Sequence, residues 1–523
     1  MNAMTPRRPL VLLIAFVLCP LLAACGSSFA PGSDDARGHG ARPLATIYDF
    51  LVTVPGLSFP LLSATGLTVD MTLEIDPNGL DPGGHFEGGI TIHAVKVGGL
   101  DRPFTAPAPL PATGRVQSSD WTLDSFGPIE VGSPATGVML VMLSLAGTLS
   151  ADGRTIDGLS VATSSGETGS FHGVKQRRYL VAATDFGVTG TVSLVRVRFG
   201  TQFRVDDDLE AISGDPVARA TGGDVDIVNR FFFDNIQSLD PAAGFTTALQ
   251  FSTGNGSNPH DVLAVDATRD YVTRYEPPYN DILIAARADG APLGSIDLSP
   301  LATNASGTPR ADSLTLADGF VFASMQNIDA TFTEYGPGRV AVIDPATDLV
   351  KHTITMAGRN PLGPPAVHPV TGDLYYAMAG IFGGTLPRDL SGGIEVVDVK
   401  THTTRGLLVD DDLLGGNVSS VALAHTAAGD FGYCVVTTAS GVNRVRVFDP
   451  GSGAVAPGAV LESAAFLTEV VSDGDGYILV AAHDISDPRL IVLDAATGLV
   501  VAAPRLSLPP FSIAVLTRTL SAN

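Results

Sequence analysis

The chain has 523 residues, 45% of them hydrophobic, with 58 glycines and 36 prolines. That length argues for two or more domains rather than one core, and that apolar content excludes a disordered chain. Its 54 acidic residues outnumber 31 basic ones, and the resulting net charge of −23 repels nucleic acid and anionic lipid headgroups.

The N-terminus reads as a targeting segment. Arg7 and Arg8 precede the apolar run PLVLLIAFVLCPLLAAC, which closes on Leu22-Ala23-Ala24-Cys25. The run is short for a spanning helix, which needs roughly 20 apolar residues. Its end resembles a bacterial lipobox. The resemblance implies a signal peptide over 1–24, cleavage before Cys25, lipid on the Cys25 sulfur and acylation of the new amino group, with the membrane as partner through that anchor. Several acyl chains together anchor stably where one is marginal. Residues 25–43 lack apolar content after the cysteine and form a flexible tether. Gly26 rather than aspartate follows Cys25, which favours the outer membrane or cell surface if the cell has an outer membrane. The mature chain would carry 29 basic against 54 acidic residues, or −25, and Cys434 as its one free thiol. One thiol allows no internal disulfide and no cysteine metal cage.

Residues 44–176 read as an antiparallel β-sandwich or small β-barrel. Candidate strands are TIYDFLVTV (46–54), LTVDMTLEI (67–75), FEGGITIHAVKV (86–97), GVMLVMLSLAGTLS (137–150) and TIDGLSVATS (155–164). Val69, Met71 and Leu73 alternate with Thr68, Asp70 and Thr72, the period of a strand buried on one face. Asp152-Gly153 favours a hairpin turn. The segment DPNGLDPGG (76–84) has the acid and glycine content of a calcium loop but not its ligand spacing, and reads as a turn between strands. SADGRTIDG (150–158) reads as a hairpin.

From 177 to 523 one unit recurs: a strand, then a turn that opens on aspartate, then a second strand. The anchors are Val197, Asp240, Ala286, Asp344, Asp398, Asp449 and Asp494, spaced 43, 46, 58, 54, 51 and 45 residues apart. Two further strands precede most anchors, giving four per unit. A period near 50 built only of strands predicts a seven-bladed β-propeller, or six blades if the weak first unit belongs to the upstream domain. That first unit lacks an innermost strand. PFSIAVLTRTL (510–520) supplies one from the chain end, which closes the ring and removes exposed sheet edges.

The unit VAVIDPATDLVKHTITMAGRNP resembles the YVTN-type propeller repeat at Asp344, Thr347, Gly358 and Pro361, and HPVTGDLYYA resembles that repeat's next turn and strand. The resemblance implies a propeller in the cell envelope and little about chemistry.

No nucleophile elbow, phosphate loop or His-Glu-x-x-His motif occurs. Trp121 is the single tryptophan and lies outside the repeat, which argues against tryptophan-rich propeller types. His260, His368, His425 and His483 fall one per blade at different places and read as turn and surface residues. Asp215, Asp261, Asp312 and Glu469 fall at equivalent places before an innermost strand, where Ala366, Ser420 and Ser512 stand in the other units. A closed ring brings these acids to one channel mouth. Clustered carboxylates repel unless a cation lies between them, so calcium, another divalent cation or a small cationic ligand would fit there; a solvated acidic rim is the other reading. The sequence favours a non-enzymatic, lipid-anchored binding platform or scaffold, with other envelope proteins as further candidate partners. The alternative is a metal-dependent hydrolase or lactonase-like enzyme at the channel mouth.

Overall fold

The computed structural model describes residues 45–516 except 77–83, 134, 136, 152, 163–164, 222–223 and 382–388. Cys25, the tether, most of the 76–84 turn and Asp152 therefore lie outside the described residues.

The first domain is a closed barrel. Thr46–Phe59, Ala64–Ile75, His85–Val97, Leu110–Gln117, Asp120–Ser133, Gly137–Leu149, Thr155–Ala162 and Glu167–Lys175 pair antiparallel in chain order. Glu167–Lys175 returns to pair with Thr46–Phe59, so no edge remains. Of the two architectures open to this sequence, that return pairing selects the barrel, and the alternation of its strands fills the interior. Leu67, Val69, Met71, Leu73 and Ile75 are buried, while Thr68, Asp70, Thr72 and Glu74 are not. The interior is filled rather than hollow. Trp121 stacks between Phe50 and Phe86, with centroids 5.4 and 6.1 Å away, and Phe171 tilts against it at 5.8 Å. Gly173 makes room for this cluster, since a Cβ there would stand 2.4 Å from the Phe50 ring.

Seven four-stranded antiparallel sheets follow, which we number as blades 1 to 7. Blade 1 joins the two chain ends: Pro510–Val515 is its inner strand and pairs with Arg177–Ala183, outside which lie Thr189–Arg198 and Gln202–Ser213. The inner strands of blades 2 to 7 are Pro216–Thr221, Pro259–Ala264, Ala311–Ala317, Ala366–Val367, Asn417–Thr426 and Phe466–Ser472. The seven-bladed expectation holds, and the six-bladed one does not.

The recurrent aspartates close the turn after each third strand. Asp344 accepts the N–H of Ala346 and the hydroxyl of Thr347. Asp398 accepts from Lys400 and Thr401, Asp449 from Gly451 and Ser452, and Asp494 from Ala496 and Thr497. A carboxylate is the side chain that bonds its own backbone two and three residues on, so the repeat is a repeat of turn chemistry. Those N–H donors hold the Asp398 carboxyl down at about 2.

The barrel sits on the propeller face where second strands begin and third strands end. Arg198 donates through Nε to Asp49 at 2.8 Å and through Nη2 to Asp70 at 2.7 Å. Arg154 pairs with Asp475, and Arg178 reaches the Ala45 carbonyl. The opposite face, where inner strands begin, is free of the barrel.

Candidate binding site at the propeller axis

The aligned positions Asp215, Asp261, Asp312, Ala366, Ser420, Glu469 and Ser512 all come to the start of an inner strand. Their equivalence has a structural cause. Five of them accept a backbone N–H from the next blade. Asp261 accepts from Leu314 at 2.8 Å, Asp312 from Gly363 at 2.7 Å and Glu469 from Ile513 at 2.6 Å. Ser420 accepts from Val470 at 3.1 Å and Ser512 from Ala218 at 3.2 Å. Each blade is stapled to its neighbour at the axis, and the last staple crosses the join between the chain ends. Ala366 has no acceptor to offer. Asp215 instead takes Arg230 at 2.5 Å.

Of the four acids, Asp312 and Glu469 line one axial cavity, Asp261 is buried behind it on Arg219 and Asp215 pairs with Arg230, so the positive charge among them is the protein's own. Arg219 donates through Nε to Asp261 at 2.5 Å. Burial opposes its charge, yet Asp261, Glu469 and Asp312 more than offset this and raise its pKa. Burial also pushes the Asp261 and Glu469 carboxyls up, against the pull of Arg219. The repulsion for which the sequence reading invoked calcium is thus relieved by Arg219 and Arg230. Among the described residues no three His, Cys, Asp or Glu are placed to hold a metal ion.

His260 is the histidine that matters here. Its Nδ1 lies 2.8 Å from Asp312 Oδ1, and its ring stacks on Tyr275 at 3.8 Å and 1°. Burial lowers its pKa, so the ring is neutral at pH 7 and donates Nδ1–H to the carboxylate. His483 stacks on Phe186 at the same face. His368 and His425 both approach Asp430 on the barrel-side face.

These residues wall a cavity of about 430 Å³ to which all seven blades contribute. One side is charged and polar: Arg219, Arg230, His260, Asp312 and Glu469. The other is aromatic, made by Phe466 and Phe511. Ser419 also lines the cavity; it is 7% exposed and its hydroxyl has no hydrogen-bond partner among the described residues. The sequence reading found the acids because they repeat. It missed Arg219 and Arg230 because each occurs in one blade, although Val217 and Arg219 do show the period of two by which an inner strand turns alternate side chains to the channel.

No family model matches the chain, and no curated protein does. Among solved structures, the chain is similar to a periplasmic gluconolactonase of Pseudomonas aeruginosa, at 17% identity and TM-score 0.46 over 65% of this chain and 99% of that one. It is also similar to a putative 6-phosphogluconolactonase of Bacteroides fragilis, at 13% identity and TM-score 0.44 over 65% and 98%. Hydrazine synthase of Kuenenia stuttgartiensis gives 10% identity and TM-score 0.43 over 61% and 92%. Likenesses this remote carry nothing about chemistry.

Proposed function

We propose that this is a lipid-anchored envelope protein whose propeller is a non-enzymatic binding platform, with a small molecule held in the axial cavity. The observation that carries the reading is the cavity itself: about 430 Å³, open on the face away from the barrel, with an aromatic side and a charged side. The carboxylates around it are already committed to blade staples and guanidinium pairs, so their role is recognition on a rigid frame. The basic start, the apolar run and Leu22-Ala23-Ala24-Cys25 support the anchor.

A thermal-shift screen of small metabolites against the wild type and Leu362→Trp tests the platform. Leu362 lines the cavity, and an indole there plugs it. Compounds that raise the melting temperature of the wild type and not of the plugged variant support the reading. A screen in which plugging changes nothing sinks it. The enzyme reading has one observation in its favour, the His260–Asp312 pair, because a carboxylate that orients a neutral imidazole is how a general base is built. Lactones therefore belong in the same screen, and turnover that vanishes in His260→Gln would replace binding by hydrolysis.

A further inference from the structure

The cavity's aromatic side does not stop at its rim. Phe511 lies 5.4 Å from Phe186, and Phe186 lies 4.3 Å from His483, which pairs across the sheet with Phe466. Around them, on the same face of blades 7, 1 and 2, the loops between second and third strands expose Ile485, Val188, Phe232 and Phe233. Phe232 is 92% exposed. Single exposed apolar residues are ordinary, but large ones gathered on one face of three adjoining blades mark a surface that meets something apolar. Because this shelf runs into the cavity wall through Phe186 and Phe511, it suits one ligand with a head and a tail better than a flat partner.

The charges say which head. Arg219 and Arg230 face Asp215, Asp261, Asp312 and Glu469 through the ion pairs and contacts described above, and His260 is neutral. Four carboxyls against two guanidiniums leave an acid excess at the mouth, which the burial of Asp261 and Glu469 reduces but does not reverse. The Ser419 hydroxyl in the lining, without a partner among the described residues, can accept from an N–H donor or donate to an acceptor, and marks a polar contact left for a ligand head. The Phe511 ring already carries the Arg230 guanidinium, 5.5 Å from its centroid; the exposed Phe466 ring is the one whose face attracts a further cation and repels an anion.

We infer that the axial cavity takes the ammonium head of a cationic amphiphile and that the Phe186–Phe232 shelf takes its apolar tail. This rests on the platform reading and names its ligand class. Each methylene laid on the shelf adds affinity, so chain length and head charge act separately.

The test is isothermal titration of the mature protein with decylammonium, butylammonium and decanoate, all below their micelle concentrations. Decylammonium should bind at one site at least about tenfold more tightly than butylammonium, given what a buried methylene contributes, and more tightly than decanoate. Leu362→Trp should abolish its binding. Phe232→Ser, at an exposed loop tip that the fold does not need, should weaken decylammonium and leave butylammonium unchanged. Tighter binding of decanoate overturns the ammonium head while leaving the platform reading intact. Affinity that does not depend on chain length, or a Phe232→Ser variant that binds as the wild type does, overturns the shelf. Absence of binding by all three probes overturns the inference, and the metabolite screen then judges the platform reading on its own.

Discussion

Asp226 is a residue whose charge the fold suppresses. It is buried in blade 2, and the Ser238 hydroxyl, 2.5 Å away, is its side-chain donor. Burial pushes its carboxyl up to about 6, while the Ser238 bond pulls the other way. Asp270 in the next blade, itself half-hidden, is driven up to about 8 by burial and then by the Asp226 charge. Both folded pKa values exceed the unfolded value near 4, so the folded state holds these protons more tightly. Their contribution is fully present below about pH 4 and is lost as pH rises through 6 for Asp226 and 8 for Asp270. Asp226→Asn should therefore be more stable than the wild type at pH 7.5, by on the order of 3 kcal/mol for a shift of about two units, and no more stable at pH 4. Melting temperatures of the two proteins across that range decide it, and parallel curves would sink the idea. At this scale the sequence was half legible. Asp261, Asp312 and Glu469 were found because the repeat aligns them. Their work as staples was not visible, because a staple is a bond between blades whose partners, Leu314, Gly363 and Ile513, are backbone groups any residue could supply. Asp226 and Asp270 gave no signal at all, since nothing in a strand's pattern distinguishes an acid that is buried from one that is not.

At the scale of elements, the strand Pro510–Val515 has more to hold than its length suggests. It pairs with Tyr179–Ala183, buries Ile513 and Ala514, and receives one inter-blade staple while sending the next. Thr468 of blade 7 also donates to the Phe511 carbonyl. Removing residues 510–523 would strip blade 1 of its inner strand, expose the edge of Arg177–Ala183 and open the ring. We expect the propeller to lose its cooperative transition or to melt at least 10 °C lower, on the order of the many kcal/mol that a buried four-sided contact set represents. A truncated protein that melts within a degree or two of full length would show that closure contributes nothing. Elements were the most legible level of this sequence. The turn after a third strand needs an acceptor for the backbone N–H groups two or three residues on, so Asp240, Asp344, Asp398, Asp449 and Asp494 recur and set the period. The barrel was less legible because a sandwich and a barrel share alternation. What separates them is the return pairing of Glu167–Lys175 with Thr46–Phe59, a contact between segments more than 100 residues apart.

The whole molecule joins a closed barrel and a closed ring of seven blades by few contacts. Barrel and propeller meet at the Arg198–Asp49–Asp70 cluster and at the contacts of Arg154 with Asp475 and of Arg178 with the Ala45 carbonyl. The first is the stronger lock, because Asp49 is wholly buried and also receives Thr72 and Gln176. Arg198→Ala leaves that carboxylate buried without its cation, which typically costs 3–5 kcal/mol, roughly, when one partner of a buried pair is removed. The loss falls on the barrel, since Asp49 and Asp70 belong to its first two strands, while Arg198 stands at the end of a propeller strand whose pairing with Gln202–Ser213 does not depend on its side chain. The single tryptophan makes this measurable. Trp121 lies at the centre of the barrel, so its fluorescence follows barrel unfolding, while far-UV circular dichroism is dominated by the larger propeller. In the wild type the two signals should change together or nearly so. In Arg198→Ala the Trp121 transition should move down by several degrees and separate from the dichroism transition, which should stay in place. The cavity is on the opposite face, so any ligand that shifts the dichroism transition of the wild type should shift that of the variant equally. A variant in which both transitions fall together would mean that the domains unfold as one unit and that the Arg198 cluster supports both.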